Sequence, residues 1–309
     1  MIRSFSELVE RAREGGAKRI VAVAAAHDAE VLLAASKAKE LQIASFILVG
    51  DASRIKEIAA ERGLFLEGME LIDEKDPAAA CKTAVTLVSS GRAHIVMKGF
   101  VDTSVILKAV LDKEYGLREA GVLSHTAVFD VPGFPRLLYV TDAAMNIAPD
   151  VEVKRVILEN AVKVTRALGN DDPVAAVVCA VEKVNEKMPA TLDAQTLAEM
   201  NKDGRLTGCR VLGPLALDNA VSAAAAKHKG IKDPLAGSAD ILLMPQIEAG
   251  NVLYKALVFL ANAKNAGVIV GARAPVVITS RADSDETKLY SIALAALMVD
   301  SHKADQHKS

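Results

Sequence analysis

The sequence predicts an α/β protein with mostly parallel sheets, arranged as two domains. Three observations carry this expectation. Apolar runs alternate with helical patterns of about 10–18 residues along the whole chain, the pattern of βαβ crossovers with helices covering both faces of a sheet. The chain has 309 residues, enough for two domains, or one large one, at roughly 100–200 residues each. The alternation breaks near residue 130, where two strand-like runs flank Pro132-Gly133-Phe134-Pro135 and predict an antiparallel hairpin.

In chain order, Arg19 to Val23 reads as a buried strand, followed by a helix over about Asp28 to Leu41. Phe46 to Gly50 is the next strand, and a helix begins near Ala52. Met69 to Ile72 fits a short strand. Asp76-Pro77 opens a helix that reaches Ser90, since proline is tolerated in a first turn. His94 to Met97 is a strand ending at Lys98-Gly99. The hairpin strands are Val122 to Val131 and Leu137 to Thr141. Helices then fit Asp150 to Leu168, Leu192 to Asn201, Asp218 to His228 and Gly250 to Asn265. The strands between them fit Val174 to Val181, Arg210 to Leu212, Ile241 to Met244, Val268 to Val270 and Val276 to Ile278. A last helix is expected over about Ser284 to Val299, with polar, frayed residues from Ser301 on.

Composition excludes several functions. Thirty-seven basic against 39 acidic residues give a net charge of −2, and there is no tryptophan and only four tyrosines. A chain reading bases by stacking needs basic residues interleaved with aromatic platforms, so nucleic acid is not an expected partner. The spacing of Cys81, Cys179 and Cys209 suits neither a zinc site nor a disulfide framework, which fits a reducing cytoplasm. The N-terminus has no apolar signal core. The apolar runs Ile20 to Ala26 and Ile292 to Val299 are too short to cross a bilayer, so no membrane partner is expected.

In open parallel sheets, ligands bind beyond the C-terminal ends of strands, beside helix N-termini. Three such segments carry chemistry. Thr279-Ser280-Arg281-Ala282-Asp283-Ser284-Asp285-Glu286 joins a hydroxyl, a guanidinium and carboxylates. Ser280 can donate to an oxyanion, Arg281 can fork onto phosphate, and Asp283 or Glu286 can take a proton. The plainer alternative for the two acids is a capping box on the final helix. In Gly250-Asn251-Val252-Leu253-Tyr254-Lys255, the glycine allows close backbone approach, and Lys255 falls one turn after Asn251. The third segment, Met97-Lys98-Gly99-Phe100-Val101-Asp102-Thr103-Ser104, puts Lys98, Gly99 and Thr103 at a glycine loop entering a helix, or Asp102 or Thr103 simply caps that helix. Ser124-His125 and Asp142 to Asn146 bracket the hairpin. There is no GxSxG elbow, HExxH, EF-hand loop or GxGxxG.

Taken together and in order, several stretches resemble the phosphate acetyl/butyryltransferase family, most nearly its butyryl branch. They are Met97 to Gly99 through Leu111-Asp112-Lys113, Val122 to His125, Val140 to Pro149, Glu182 to Asn185, Met188 to Thr191, Gly213 to Ala220, the 245–255 loop and Thr279 to Ser284. The resemblance implies two α/β/α domains with an interdomain cleft, of isocitrate/isopropylmalate dehydrogenase-like architecture. It implies a C-terminal helix that returns to the first domain, giving expected domains of residues 1–130 plus 275–309 and 131–274. It also implies a homodimer or higher homo-oligomer. Ser280 and Arg281 match the family's Ser-Arg pair. Acetyl-type relatives carry a catalytic Asp seven residues after that serine, and here the position is Thr287. Asp283 and Glu286 are therefore the expected proton acceptors. The acetyl-type phosphate-binding arginine of the first domain has no clear match; Lys98 and Lys108 are the nearby cations.

The expected activity is exchange of a short acyl group, butyryl or similar, between coenzyme A and inorganic phosphate. Coenzyme A is a substrate, and neither metal nor redox cofactor is required. Ser280, Asp283 and Glu286 are the expected catalytic residues. Arg281, Lys98, Gly99, Thr103, Ser124, His125, Asp142, Asn251 and Lys255 are the expected substrate-binding residues. Three alternatives stand beside this reading: acetyl transfer, a metal- and nicotinamide-dependent 3-hydroxyacid dehydrogenase, and a non-enzymatic CoA or acyl-phosphate-binding regulator.

Overall fold

The computed structural model describes residues 1–16, 18–119, 121–280 and 283–306, with side chains as far as Ser301. Arg281 lies outside the described residues, as does Ala282. The chain divides into two compact units. The first contains Phe5–Gly121 and Ala266–Ser309; the second contains Met1–Ser4 and Val122–Asn265.

The first unit begins with α1 (Phe5–Glu14), which the strand and helix patterns did not anticipate. Its stripe of Phe5, Leu8 and Ala12 is buried. Then follow β1 (Ile20–Ala24), α2 (Ala29–Glu40), β2 (Ser45–Gly50), α3 (Ala52–Glu61), β3 (Glu70–Asp73), α4 (Pro77–Ser89), β4 (Ile95–Lys98) and α5 (Thr103–Val110). Aspartates set the starts of three helices. Asp28 accepts from Val31 N, Asp51 from Ser53 N and Arg54 N, and Asp76 from Ala79 N ahead of Pro77. The strand order is β3-β2-β1-β4, all parallel, with Ala22 opposite both Ile47 and Val96. Successive strands thus run one way from β1 to β3 while β4 lies on β1's other side. The strand order reverses there, the position at which parallel sheets place their ligand sites.

The C-terminal part of the chain completes this unit. β11 (Val276–Val277) pairs parallel to β4, and β10 (Lys264–Val270) pairs antiparallel to β11. α11 (Asp285–Gln306) then packs on α1 and α2. Its segment Leu289 to Val299 is buried almost throughout, as a helix apolar on all sides must be. Tyr290 stacks on Phe5 at 4.5 Å, and the buried Arg19 guanidinium bonds Asp300 and the carbonyls of Ala12 and Ile43.

The second unit holds β5 (Ser124–Asp130), β6 (Leu138–Thr141), α6 (Val151–Ala167), β7 (Val174–Val178), α7 (Pro189–Lys202), β8 (Arg210–Leu215), α8 (Leu217–Val221), α9 (Ala223–His228), β9 (Ile241–Leu243) and α10 (Ile247–Phe259). Its strand order is β5-β6-β9-β7-β8. The expected hairpin is present, with Val128 opposite Tyr139 in an antiparallel pair, and the remaining pairings are parallel.

Two helices differ from expectation. The helix expected over Asp218 to His228 is broken at Ser222, whose backbone is extended and whose hydroxyl caps the second piece. The helix expected to reach Asn265 ends at Phe259. Asn262 adopts a positive φ of 51°, which stops the helix and releases Lys264 into β10.

Candidate active site

The first unit gathers polar side chains at the reversal point between β1 and β4. The end of β4 lies so close to β1 that a Cβ on Gly99 would stand 2.3 Å from the Ala25 oxygen. Two short bonds run along this contact, Gly99 N to Ala24 O at 2.8 Å and Phe100 N to Ala25 O at 2.7 Å. Glycine is required here by space, not by φ. Lys98 is 5% exposed and donates to the carbonyls of Gly99 (3.3 Å) and Val101 (3.0 Å).

Beside it, β11 runs into Thr279-Ser280. Asp28, Val31, Lys98, Gly99, Thr279, Ser280 and Lys288 line one narrow crevice, closed too tightly in this form to admit a water molecule. Lys288 is 2% exposed, and its ammonium donates to the carbonyls of Ser280 (3.4 Å) and Asp283 (2.5 Å). The Ser280 turn is also closed by its own backbone. Ser280 N donates to the Asp283 carboxylate at 2.7 Å, and Asp283 N to Ser280 O at 3.2 Å. Asp283 therefore braces the serine turn and does not cap α11. That cap is Ser284, whose hydroxyl accepts from Thr287 N at 3.2 Å. Glu286 accepts from the Tyr290 hydroxyl at 2.7 Å, so neither acid behaves as the capping box that their spacing offered.

Thr103 starts α5 at an exposed position and is not among the residues lining the crevice. Arg281 lies outside the described residues. Within the second unit, the expected residues gather about the turn after β6. Asp142 is nearly buried and accepts from the amides of His125 (3.3 Å), Ala144 (2.8 Å), Met145 (3.0 Å) and Asn146 (3.3 Å), and from the Asn146 side chain (2.7 Å). It shapes the turn after β6. Ser124 is buried and takes a bond from Asn160 at 3.0 Å. Asn251 donates to Ala143 O at 3.3 Å. A Cβ on Gly250 would meet Asp142 O at 2.5 Å, so this glycine serves the contact between α10 and the turn. Lys255 is exposed on α10.

Sequence reasoning missed Asp28, Thr279 and Lys288. A signal existed for Lys288: a lysine at the start of a helix whose next ten residues are almost wholly apolar is drawn into the interior with them. Nearby thiols are quiescent. Burial pushes the Cys81 thiol up to about 11, against the opposing pull of Lys98's charge. Among the described residues, no group of three or more His, Cys, Asp or Glu could hold a metal ion, and no helix is long and apolar enough to cross a membrane.

The family model described as "Phosphate acetyl/butaryl transferase" matches residues 4–82 and 78–296. The chain belongs to this family. It is 51% identical to the phosphate butyryltransferase of Clostridium beijerinckii over 303 residues, 98% of this chain and 100% of that one. It is 46% identical to the phosphate acetyltransferase of Thermotoga maritima over 293 residues, covering 95% and 99%. Among solved structures, it is similar to a branched-chain phosphotransacylase from Enterococcus faecalis V583, with a TM-score of 0.82, 36% identity, and 91% and 99% of the two chains covered. In this family member the Ser280 turn, Lys98 at the end of β4 and Lys288 on α11 come together within the first unit.

Proposed function

We propose that the chain is a phosphate acyltransferase that exchanges a short acyl group, butyryl or a close homologue, between coenzyme A and inorganic phosphate. The observation that carries this reading is the Ser280 crevice. A serine turn lies against two buried ammonium groups, Lys98 at the end of β4 and Lys288 on α11, in a chain similar to phosphate butyryltransferase along nearly its whole length.

In the direction of acyl-CoA formation, the CoA thiol attacks the acyl phosphate carbonyl, a tetrahedral oxyanion forms, and phosphate leaves as the thioester closes. Ser280 donates to the oxyanion. One such donor in a water-poor site is worth about 3–4 kcal/mol. A free thiol is largely protonated near neutral pH, so a carboxylate that takes its proton speeds the attack. Asp283 is better placed for this than Glu286, because it already sits in the Ser280 turn while Glu286 is engaged by Tyr290. Arg281 follows Ser280 directly in the chain and adds a planar fork for phosphate. Asp142 acts by shaping the turn beside His125. Coenzyme A is a substrate, and the chemistry calls for no resident cofactor.

We also propose a homodimer in the cytoplasm. On α10, only Gly250 is buried, while Val252 and Phe259 are exposed, as is the adjoining Leu260, and a second copy would cover them. The free, buried cysteines suit a reducing compartment. Light scattering of the purified chain tests the dimer.

The activity test is phosphate-dependent release of thiol from butyryl-CoA, repeated across an acyl-CoA series. Ser280→Ala should lower kcat by about 10²–10³. Asp283→Asn should lower it as well, and Glu286→Gln should leave most of it. Absence of phosphate-dependent thiol release by folded wild-type protein would refute the acyltransferase reading.

A further inference from the structure

The second unit holds a cavity that the acyl transfer does not use. It lies along β8, the outermost strand of that unit's sheet, with β7 and β9 standing between it and the β5–β6 hairpin. Its volume is about 220 Å³. A water needs only about 10–15 Å³ of such space, and pockets for drug-sized ligands measure about 300–1,000 Å³. The cavity therefore suits a small metabolite, larger than water and far smaller than a coenzyme.

Its floor is apolar. Ala198 on α7, Val211 and Pro214 on β8, and Ile231 after α9 line it. Leu212 and Ile231 pack against the unit's core yet stay only half-buried, and the cavity is where they remain open.

The rim carries both signs. Lys202 ends α7, and Asp233 lies in the loop after α9. Both line the cavity, yet no ion pair joins them to each other or to another described residue. Asp233 is held in a turn: its Oδ1 accepts from Leu235 N at 2.9 Å, and its carbonyl from Ala236 N at 3.1 Å. Glu182, also at the rim, is engaged by Lys229 at 3.7 Å and adds no net charge. One ammonium and one carboxylate thus face the cavity unpaired. The edge strand adds a donor. Arg210 N bonds β7 at Pro173 O, and the next amide, Val211 N, turns outward to Asn201 Oδ1. The same alternation turns the Gly213 N–H outward beside the cavity.

We propose that this cavity binds a small zwitterion of the aliphatic α-amino-acid class. Lys202 and the Gly213 amide hold its carboxylate, Asp233 holds its ammonium, and its side chain rests on Val211, Pro214 and Ile231. A plain carboxylate or an acyl phosphate would leave Asp233 unmatched, and a plain amine would leave Lys202 unmatched. Glycine would leave the apolar floor uncovered. Discrimination comes from these mismatches as much as from the contacts made. The site is independent of the acyltransferase reading.

The test is isothermal titration calorimetry of the full chain with L-leucine at low ionic strength. Leucine should bind at one site per chain with a Kd below about 1 mM. 4-Methylpentanoate lacks the ammonium, isopentylamine the carboxylate and glycine the side chain. Each should bind at least about tenfold more weakly, the loss of one charge-assisted hydrogen bond or of a buried aliphatic group. Lys202→Met should weaken leucine about tenfold. Asp233→Asn keeps the turn, because asparagine accepts from the same amide, and should weaken leucine as much. Both positions are exposed, so both variants should melt within about 2 °C of wild type. The proposal is overturned if leucine gives no saturable heat up to about 10 mM. It is equally overturned if 4-methylpentanoate or isopentylamine binds as tightly as leucine, or if either folded variant keeps the wild-type affinity. Leucine binding of the expected pattern would stand whether or not the protein cleaves butyryl-CoA.

Discussion

Replacing Gly99 by alanine tests the geometry on which the site depends. The added Cβ would stand 2.3 Å from Ala25 O, 2.8 Å from Ala24 O and 2.9 Å from the Ala25 carbonyl carbon. All three are backbone atoms, so no side chain can swing away. Ordinary carbon–oxygen contacts begin at about 3.3 Å, and the two strand ends must separate by roughly 1 Å to reach that distance. Overpacking of this kind costs about 1–3 kcal/mol. The separation also breaks the two backbone bonds that join the strand ends, each worth about 1 kcal/mol net. The expected loss is about 3–5 kcal/mol, read as a fall of roughly 6–20 °C in melting temperature. Phosphate-dependent thiol release should fall with it, because the Gly99 carbonyl that receives Lys98 moves too. Gly121→Ala is the control: nothing lies within 4 Å of its added Cβ, and its φ is not in the left-handed region. A Gly99→Ala protein melting within about 2 °C of wild type, less than 1 kcal/mol, would refute the close approach and the crevice built on it.

Other outcomes follow from buried groups. Burial pushes the thiols of Cys81, Cys179 and Cys209 up to about 11. A thiol-specific disulfide reagent at pH 8 should therefore find them protonated and inaccessible in native protein and titrate all three after denaturation; rapid native-state reaction of any of them contradicts this. Arg19→Met should destabilise by about 2–4 kcal/mol in urea, since it strands the buried carbonyls of Ala12 and Ile43 and unpairs Asp300. Burial, then the charge of Arg54, holds His27 below its usual 6.5. The unfolded chain consequently takes up that proton first, and stability is lost as pH falls from 6.5 toward the folded value. A His27→Asn protein should lose less stability than wild type over that window, and equal losses would contradict the assignment.

The α/β class was readable because buried parallel strands need uninterrupted apolar runs and the helices between them carry aspartate caps, as at Asp28, Asp51 and Asp76. The hairpin was readable from Pro132-Gly133. Backbone events with no pattern of their own were not. Asn262 ends α10 by adopting a positive φ, and Ser222 splits α8 from α9, and neither residue differs in type from many that do not break helices. In the site, Ser280, Lys98 and Gly99 were found because each follows a strand. Lys288 was not, because it lies in the first turn of the last helix, after the strand-end loop, and reaches the crevice only through the fold. Asp28 was visible only as a cap, a role it does fill while also lining the crevice. The spacing of Asp283 and Glu286 suggested a capping box, but Ser284, one residue further on, makes that bond.

The interleaving of the two units has a consequence for biosynthesis. The first unit's sheet is left unfinished at Gly121, with β4 presenting a bare edge, because its neighbour β11 and the covering helix α11 lie after residue 265. Residues 122–265 must be translated in between, a wait of roughly 7–30 s at elongation rates of about 5–20 residues per second. The second unit can close on itself during that interval; the first cannot. The serine turn and Lys288 thus reach the strand ends last, so that a prematurely terminated chain carries an exposed strand edge, and with it a tendency to aggregate, in place of activity.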